Sequence, residues 1–389
     1  MIKQFSIGVI SPILIILTLL ASCSFKTSQV SAEEESLLLY PGGDFYPVTE
    51  FNHNFLNETP KNVVLFIGDG MGLTQIHAAM IANGGSLFLN NFRHIGFTTT
   101  HSYSSFVTGS AEAATAIASG VKTYGGAIGV DPDTNAVKTI LHKAIEKGLS
   151  TGLISTSAIT HATPAAFIAH QPDRKMYEEI AGDFLKYEID LLIGGGLRHF
   201  GERSDGQNLL LKLNDKGYQI YHKLYEIAAA KSGKLVGLTA DEHNGRVDQR
   251  GYVLPVATES ALNILSENEK GFFVMIEGSQ IDWAGHENNI VYLIEEMLDF
   301  DKAIGRALEF AEMNKETLII VASDHETGGM TIHDGCYKAG MVKANFATPK
   351  HTGVLVPIFA YGPGAHLFTG FMDNTDIHNV IEELLFRLD

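Results

Sequence analysis

A chain of 389 residues is long enough for one large α/β domain or two ordinary ones, and hydrophobic residues at 45% are ample for a core. The formal net charge of −17 argues against nucleic acid as a partner. It also means that an anionic substrate would need local positive charge from metal ions or arginine. The 39 glycines point to many tight loops rather than low complexity.

The chain begins with Lys3, a mostly apolar run from Ile7 to Leu20, and then Leu20-Ala21-Ser22-Cys23. Small residues before a cleavage point fit a signal peptide rather than a membrane span. The cysteine after them resembles a bacterial lipobox, so residues 1–23 are read as a lipoprotein signal, with an ordinary signal cleaved slightly later as the alternative. The expected product is periplasmic or at the cell surface, touching membrane only through a lipid on Cys23. Cys336 would then be the only free thiol, with no internal disulfide. Residues 24–60 read as an acidic tether (Glu33, Glu34, Glu35) followed by a surface-hugging arm rich in Pro, Gly and aromatics. Asn57-Glu58-Thr59 has the form of a glycosylation sequon but is idle in a bacterial lipoprotein. Residues 61–389 are expected to form a single catalytic domain.

That body opens with Asn62-Val-Val-Leu-Phe-Ile67, an apolar run ended by Gly68-Asp69-Gly70. Such a run reads as a buried parallel strand, with Asp69 at the carboxyl end where open α/β sheets place ligands. The pattern recurs at 152–156, leading to His161-Ala-Thr163; at 190–193, leading to three glycines; and at 271–276, leading to Glu277, Asp282 and His286. It recurs again at 317–321, leading to Asp324-His325, and at 354–360, just after His351. Helical patterns occupy 136–147, 175–186, 258–266 and 292–311 between them. Alternating strand and helix predicts a mainly parallel sheet covered by helices on both faces. The more polar stretch 201–251 reads as peripheral decoration.

Two other signals are set aside. Asp131-Pro-Asp-Thr-Asn135 starts like a calcium loop, but Ala136 replaces the required glycine, so a helix N-terminus is the better reading. Gly194-Gly195-Gly196 lacks dinucleotide-binding spacing.

Val107 to Gly120, VTGSAEAATAIASG, places Ser110 just after a glycine at the first turn of a small-residue helix. Free N–H groups and the positive dipole end there favour a hydroxyl that must act as an alkoxide. A packed Gly/Ala helix start is the alternative for this segment taken alone. Several Asp, Glu and His side chains share one sheet edge; uncompensated, the converging carboxylates would repel one another and raise their pKa values, and divalent cations resolve that conflict. Mixed Asp/His ligation suits zinc; carboxylate, hydroxyl and water suit magnesium.

Asp69-Gly-Met-Gly72, Gly109-Ser-Ala-Glu-Ala-Ala-Thr-Ala116, His161-Ala-Thr-Pro-Ala165, the segment Glu277 to His286, Ser323-Asp-His325 and His351-Thr-Gly353 occur in the order found in the alkaline phosphatases. The chain resembles that family from about Asn62 to its C-terminus. The resemblance implies the three-layer alkaline-phosphatase-like fold and metal-dependent hydrolysis of small phosphate monoesters through a phosphoserine at Ser110. It also implies two zinc ions and one magnesium. Asp282, His286 and His351 match ligands of the first zinc. Asp69, Asp324 and His325, with the Ser110 alkoxide, match those of the second. Asp69, Thr163 and Glu277 match the magnesium site, and Arg174 the group that grips phosphoryl oxygens. A homodimer is compatible with the family.

The chain departs from the common pattern at two places. Many relatives carry aspartate before the serine to orient the arginine, and here Gly109 stands there, leaving what holds Arg174 open. His161 with Trp283 resembles a bacterial branch in which the histidine lies just outside the magnesium ligands, although Trp283 also reads as a packing residue. The competing functions are a phosphodiesterase of the same superfamily and a non-catalytic phosphate-binding lipoprotein.

Overall fold

The computed structural model describes residues 37–52, 55 and 59–386. The expected leader, Cys23, the tether as far as residue 36 and Asn57 of the sequon lie outside the described residues. Ten strands form the central sheet, in the spatial order Gly370–Asp373, His94–Thr99, Val356–Tyr361, Thr317–Ala322, Asn62–Gly68, Phe272–Gly278, Ser150–Ala158, Leu191–Gly195, Leu235–Leu238 and Gln219–Tyr221. Only Val356–Tyr361 runs antiparallel to its neighbours; every other pairing is parallel.

The central strands Asn62–Gly68, Phe272–Gly278 and Thr317–Ala322 are mainly apolar because both faces are covered. Successive side chains point to opposite sides, so Val64 and Phe66 join one core while Val63, Leu65 and Ile67 join the other. The first core is closed by helices Leu73–Ala82, Val253–Leu265 and Ile290–Asn314. The second is closed by Ser110–Ser119, Ile140–Lys147, Tyr177–Phe184 and Asn374–Phe386. The result is the expected layering of helix, sheet and helix. The arm contributes a strand, Leu38–Tyr40, to a small antiparallel sheet with Met341–Phe346 and Met330–Cys336. Beyond that strand the Tyr46 hydroxyl donates to buried Asp301 at 2.5 Å.

Several expectations are corrected. Asp131–Asn135 is a turn, not a helix start: Asp131 Oδ1 accepts the N–H groups of Asp133 and Asn135, and Val130 bridges to Ala136. The helix after it begins at Ile140, capped by Thr139. The 201–251 stretch is not mere decoration, since Gln219–Tyr221 and Leu235–Leu238 complete one edge of the central sheet. His94–Thr99 and Gly370–Asp373 form the other edge and have no continuous apolar run to announce them. Cys336 is disulfide-bonded rather than a free thiol.

Candidate active site

The carboxyl ends of the parallel strands deliver the side chains. Asp69 follows Asn62–Gly68, Glu277 is near the end of Phe272–Gly278, and Asp324-His325 follows Thr317–Ala322. Helix Gln280–His286 then presents Asp282 and His286 one turn apart, and the short strand His351–Thr352 presents His351. Ser110 is the first residue of its helix, with extended Gly109 as the cap residue. Its Oγ lies 3.3 Å from His325 Nε2 and 3.5 Å from Asp69 Oδ1.

Two groups of ligand atoms converge there: Asp69, Asp324 and His325, and Asp282, His325 and His351, each set within 4.8 Å. His325 Nε2 stands 3.4 Å from Asp69 Oδ1 and 3.3 Å from Asp324 Oδ2. Asp282 Oδ1 lies 3.4 Å from His286 Nε2 and 3.3 Å from His351 Nε2. The two histidines bring their Nε2 atoms within 3.0 Å of each other. Each ring has its other nitrogen 2.8 Å from a main-chain carbonyl, of Pro349 for His286 and of Thr108 for His351. A carbonyl can only accept, so Nδ1 carries the proton and the Nε2 lone pairs face inward.

Electrostatics at this edge are strained in the way that converging carboxylates require. Burial pushes Asp69 well up, and Asp324, Asp282 and Glu277 push it further. Asp324 rises to about 6, through burial and then Asp282. Glu277 rises to about 7 through burial, against the hydroxyls of Ser155 and Ser279. Burial opposes ionisation of Asp282 too, but His351, His325 and His286 surround it and hold it below the usual carboxylate range. His325 falls to about 3, through burial and then His351. Buried Asp69 Oδ2, Asp324 Oδ2, Glu277 Oε1 and Thr163 Oγ1 have no hydrogen-bond partner. Unpaired buried oxygens beside inward-facing imidazole lone pairs are the donor set that divalent cations satisfy.

Arg174 and the His161–Trp283 pair occupy one flank. Arg174 Nη2 donates to His161 Nε2 at 3.0 Å, and the His161 and Trp283 rings meet edge to face at 6.0 Å. Burial and then Arg174 hold His161 well below the usual imidazole range. The contact to His161 is a partner for Arg174 that Gly109 cannot supply.

Four neighbours escaped the sequence reading. Ser155 donates to Glu277 Oε2 at 2.6 Å. Thr327 Oγ1 donates to Asp282 Oδ1 and lies 3.3 Å from His325 Nδ1. Glu112 bonds the Gly109 N–H. His243, from the stretch read as decoration, packs 4.9 Å from Trp283 and 5.4 Å from His161, its Nδ1 accepting the Ala158 N–H at 3.0 Å. Thr327 follows His325 closely enough to have been a candidate; the other three act through tertiary contacts that no spacing reveals.

The family described as alkaline phosphatase matches residues 60–348 and 339–386. Alkaline phosphatase 4 of Bacillus subtilis (strain 168) is 34% identical over 411 residues, covering 84% of this chain and 88% of that protein. The solved alkaline phosphatase of the Antarctic bacterium TAB5 superposes with a TM-score of 0.79 at 42% identity, covering 85% of this chain and 98% of that one. A His-to-Asp variant of the TAB5 enzyme, solved with Mg bound in its M3 site, gives 0.80 at 41% identity, with coverage of 85% and 99%. By sequence, fold and the residues gathered at its sheet edge, the chain belongs to the alkaline phosphatase family, enzymes that depend on metal ions to hydrolyse phosphate monoesters.

Proposed function

We propose that hydrolysis proceeds in two displacements at Ser110. Deprotonated Ser110 Oγ attacks phosphorus, the bond from phosphorus to the alcohol oxygen breaks, and the leaving oxygen takes up a proton. Water then attacks the phosphoserine, breaking the bond from Oγ to phosphorus and releasing inorganic phosphate. The observation that carries this reading is the position of Ser110 Oγ within 3.3–3.5 Å of His325 and Asp69, at a helix N-terminus aimed into the carboxylate and histidine cluster.

The residues fit two zinc ions and one magnesium. Asp282, His286 and His351 would hold the first zinc; Asp69, Asp324 and His325 the second; Asp69, Thr163 and Glu277 the magnesium. When bound, these cations offset the carboxylate charge and stabilise negative oxygens on the attacking and leaving sides. Carbonyls of Pro349 and Thr108 fix the tautomers of His286 and His351, and Ser155 holds Glu277 in place. Arg174 offers a planar fork for two parallel bonds to phosphoryl oxygens. His161 and Trp283 would flank the magnesium site without ligating it, with His161 steadying Arg174.

An assay pairing an aryl phosphate monoester with the matching diester, on protein whose zinc and magnesium content has been measured, tests this reading. Preference for the monoester by protein with both metals supports it; a marked preference for the diester overturns it.

The N-terminal sequence supports export to the periplasm or cell surface, with residues 1–23 as leader, 24–60 as tether and arm, and 61–389 as the catalytic domain. No helix among the described residues is long and apolar enough to cross a membrane. A lipid on Cys23 is the expected anchor. Mass spectrometry of the mature N-terminus checks it: a diacylglyceryl adduct establishes the anchor, and an unmodified cysteine removes it. A homodimer in solution is a further expectation, checked by sedimentation, with a monomer at micromolar concentration as the contrary result.

A further inference from the structure

Glu112 is the third residue of the helix that Ser110 begins, and its side chain is buried. Its Oε1 accepts the Gly109 N–H at 2.6 Å, as a glutamate does at that place in a capped helix. Its other oxygen does something the helix does not need. Oε2 accepts the N–H of Gly126, 14 positions along the chain, at 3.0 Å. The Gly126 carbonyl in turn accepts the main-chain N–H of Arg174 at 2.8 Å. Gly109, Glu112, Gly126 and Arg174 thus form one continuous tie from the residue before the nucleophile to the arginine.

The absence of a side chain at position 109 belongs to the same arrangement. A Cβ there would lie 3.1 and 3.3 Å from the two Glu112 carboxylate oxygens, the space between being filled from one turn further along the helix. Gly126, with φ +84°, sits in the left-handed region and has nothing within 4 Å of an added Cβ, so backbone conformation rather than crowding calls for glycine there.

We propose that Glu112 is a positioning residue that fixes the Arg174 segment relative to Ser110, so that the guanidinium meets the phosphoryl group the serine attacks. The inference rests on the reading of Arg174 as the phosphate grip. Misplacement of a clamp by even a fraction of its bond length weakens binding without touching the reacting atoms.

Glu112→Gln keeps the shape but gives one of the two N–H groups another donor to face. Inhibition by inorganic phosphate, KM, kcat, bound metal and the thermal midpoint are measured for Glu112→Gln, for Arg174→Ala and for the double variant. Expected for Glu112→Gln is a rise of about tenfold in the phosphate inhibition constant, with metal content unchanged. In the Arg174→Ala background the same substitution should leave that constant unmoved, since no guanidinium remains to be misplaced. An equal rise in both backgrounds, or no rise in either, overturns the role of Glu112. If Arg174→Ala alone leaves phosphate inhibition unaltered, the reading of Arg174 fails instead and takes the inference with it. Glu112→Asp, which keeps the charge but withdraws the carboxylate, carries the same test if the glutamine variant does not fold.

Discussion

His286 and His351 face one another through Nε2 atoms 3.0 Å apart, each with its Nδ1 hydrogen committed to a main-chain carbonyl. Two lone pairs at that distance repel unless a proton or a cation lies between them, and a divalent cation would draw on both at once. His351→Ala should therefore lower zinc content by about one equivalent while the protein stays folded. Elemental analysis of purified protein checks it, and undiminished zinc would remove His351 from the ligand set.

Ser110→Ala should reduce turnover of an aryl phosphate by at least about 10³-fold, because it removes the oxygen proposed to attack phosphorus. Metal content should remain, since the carboxylate and imidazole donors are untouched. Near-normal turnover would refute the nucleophile assignment.

Arg174→Ala should cost roughly 2–4 kcal/mol in kcat/KM, the scale of losing one charged clamp. Arg174→Lys should recover little of it, because an ammonium cannot make two parallel bonds and sits differently against His161 Nε2. Full recovery by lysine would show that charge alone matters there.

Loading zinc and magnesium into chelated protein should release protons, and more of them near pH 6 than near pH 8. The sign follows from the raised carboxyls. Asp324 at about 6, Glu277 at about 7 and Asp69 above its ordinary value hold protons at the lower pH that the cations displace. His351, also raised, adds to the effect. His325 does not, being neutral at both values. Titration calorimetry in buffers of different ionisation enthalpy measures the release; equal release at both pH values would contradict the electrostatics.

Away from the site, Arg250 Nη2 bonds Glu296 Oε2 and Asp299 Oδ2, both at 2.7 Å, with all three side chains no more than 2% exposed. Arg250→Met would remove the counter-charge that the two buried carboxylates share. Denaturant unfolding should show a loss of roughly 3–5 kcal/mol, and a loss below 1 kcal/mol would mean the acids can be protonated at small cost.

What the sequence disclosed was decided by how local each feature is. The central strands were readable because a strand buried on both faces is largely apolar, as at residues 63–67 of Asn62–Gly68. The edge strands did not stand out: His94–Thr99 buries only Gly96 and Thr98, and Gly370–Asp373 buries none of its residues. Proposed ligands such as Asp69 and Asp324 were visible because each follows an apolar run. Glu112, Ser155 and His243 were not: each looks like an ordinary polar residue until the fold brings Gly126, Glu277 or Trp283 against it. The Gln219–Tyr221 strand was hidden by its brevity and recognisable only from its place beside Leu235–Leu238.

The main-chain N–H of Gly70 donates to Asp324 across 254 positions of chain, and His351 joins the cluster later still. No fragment emerging first from a ribosome or a translocation channel can gather either group of converging Asp and His ligand atoms. On the ligand sets proposed above, metal binding would therefore wait until the C-terminal strands have docked.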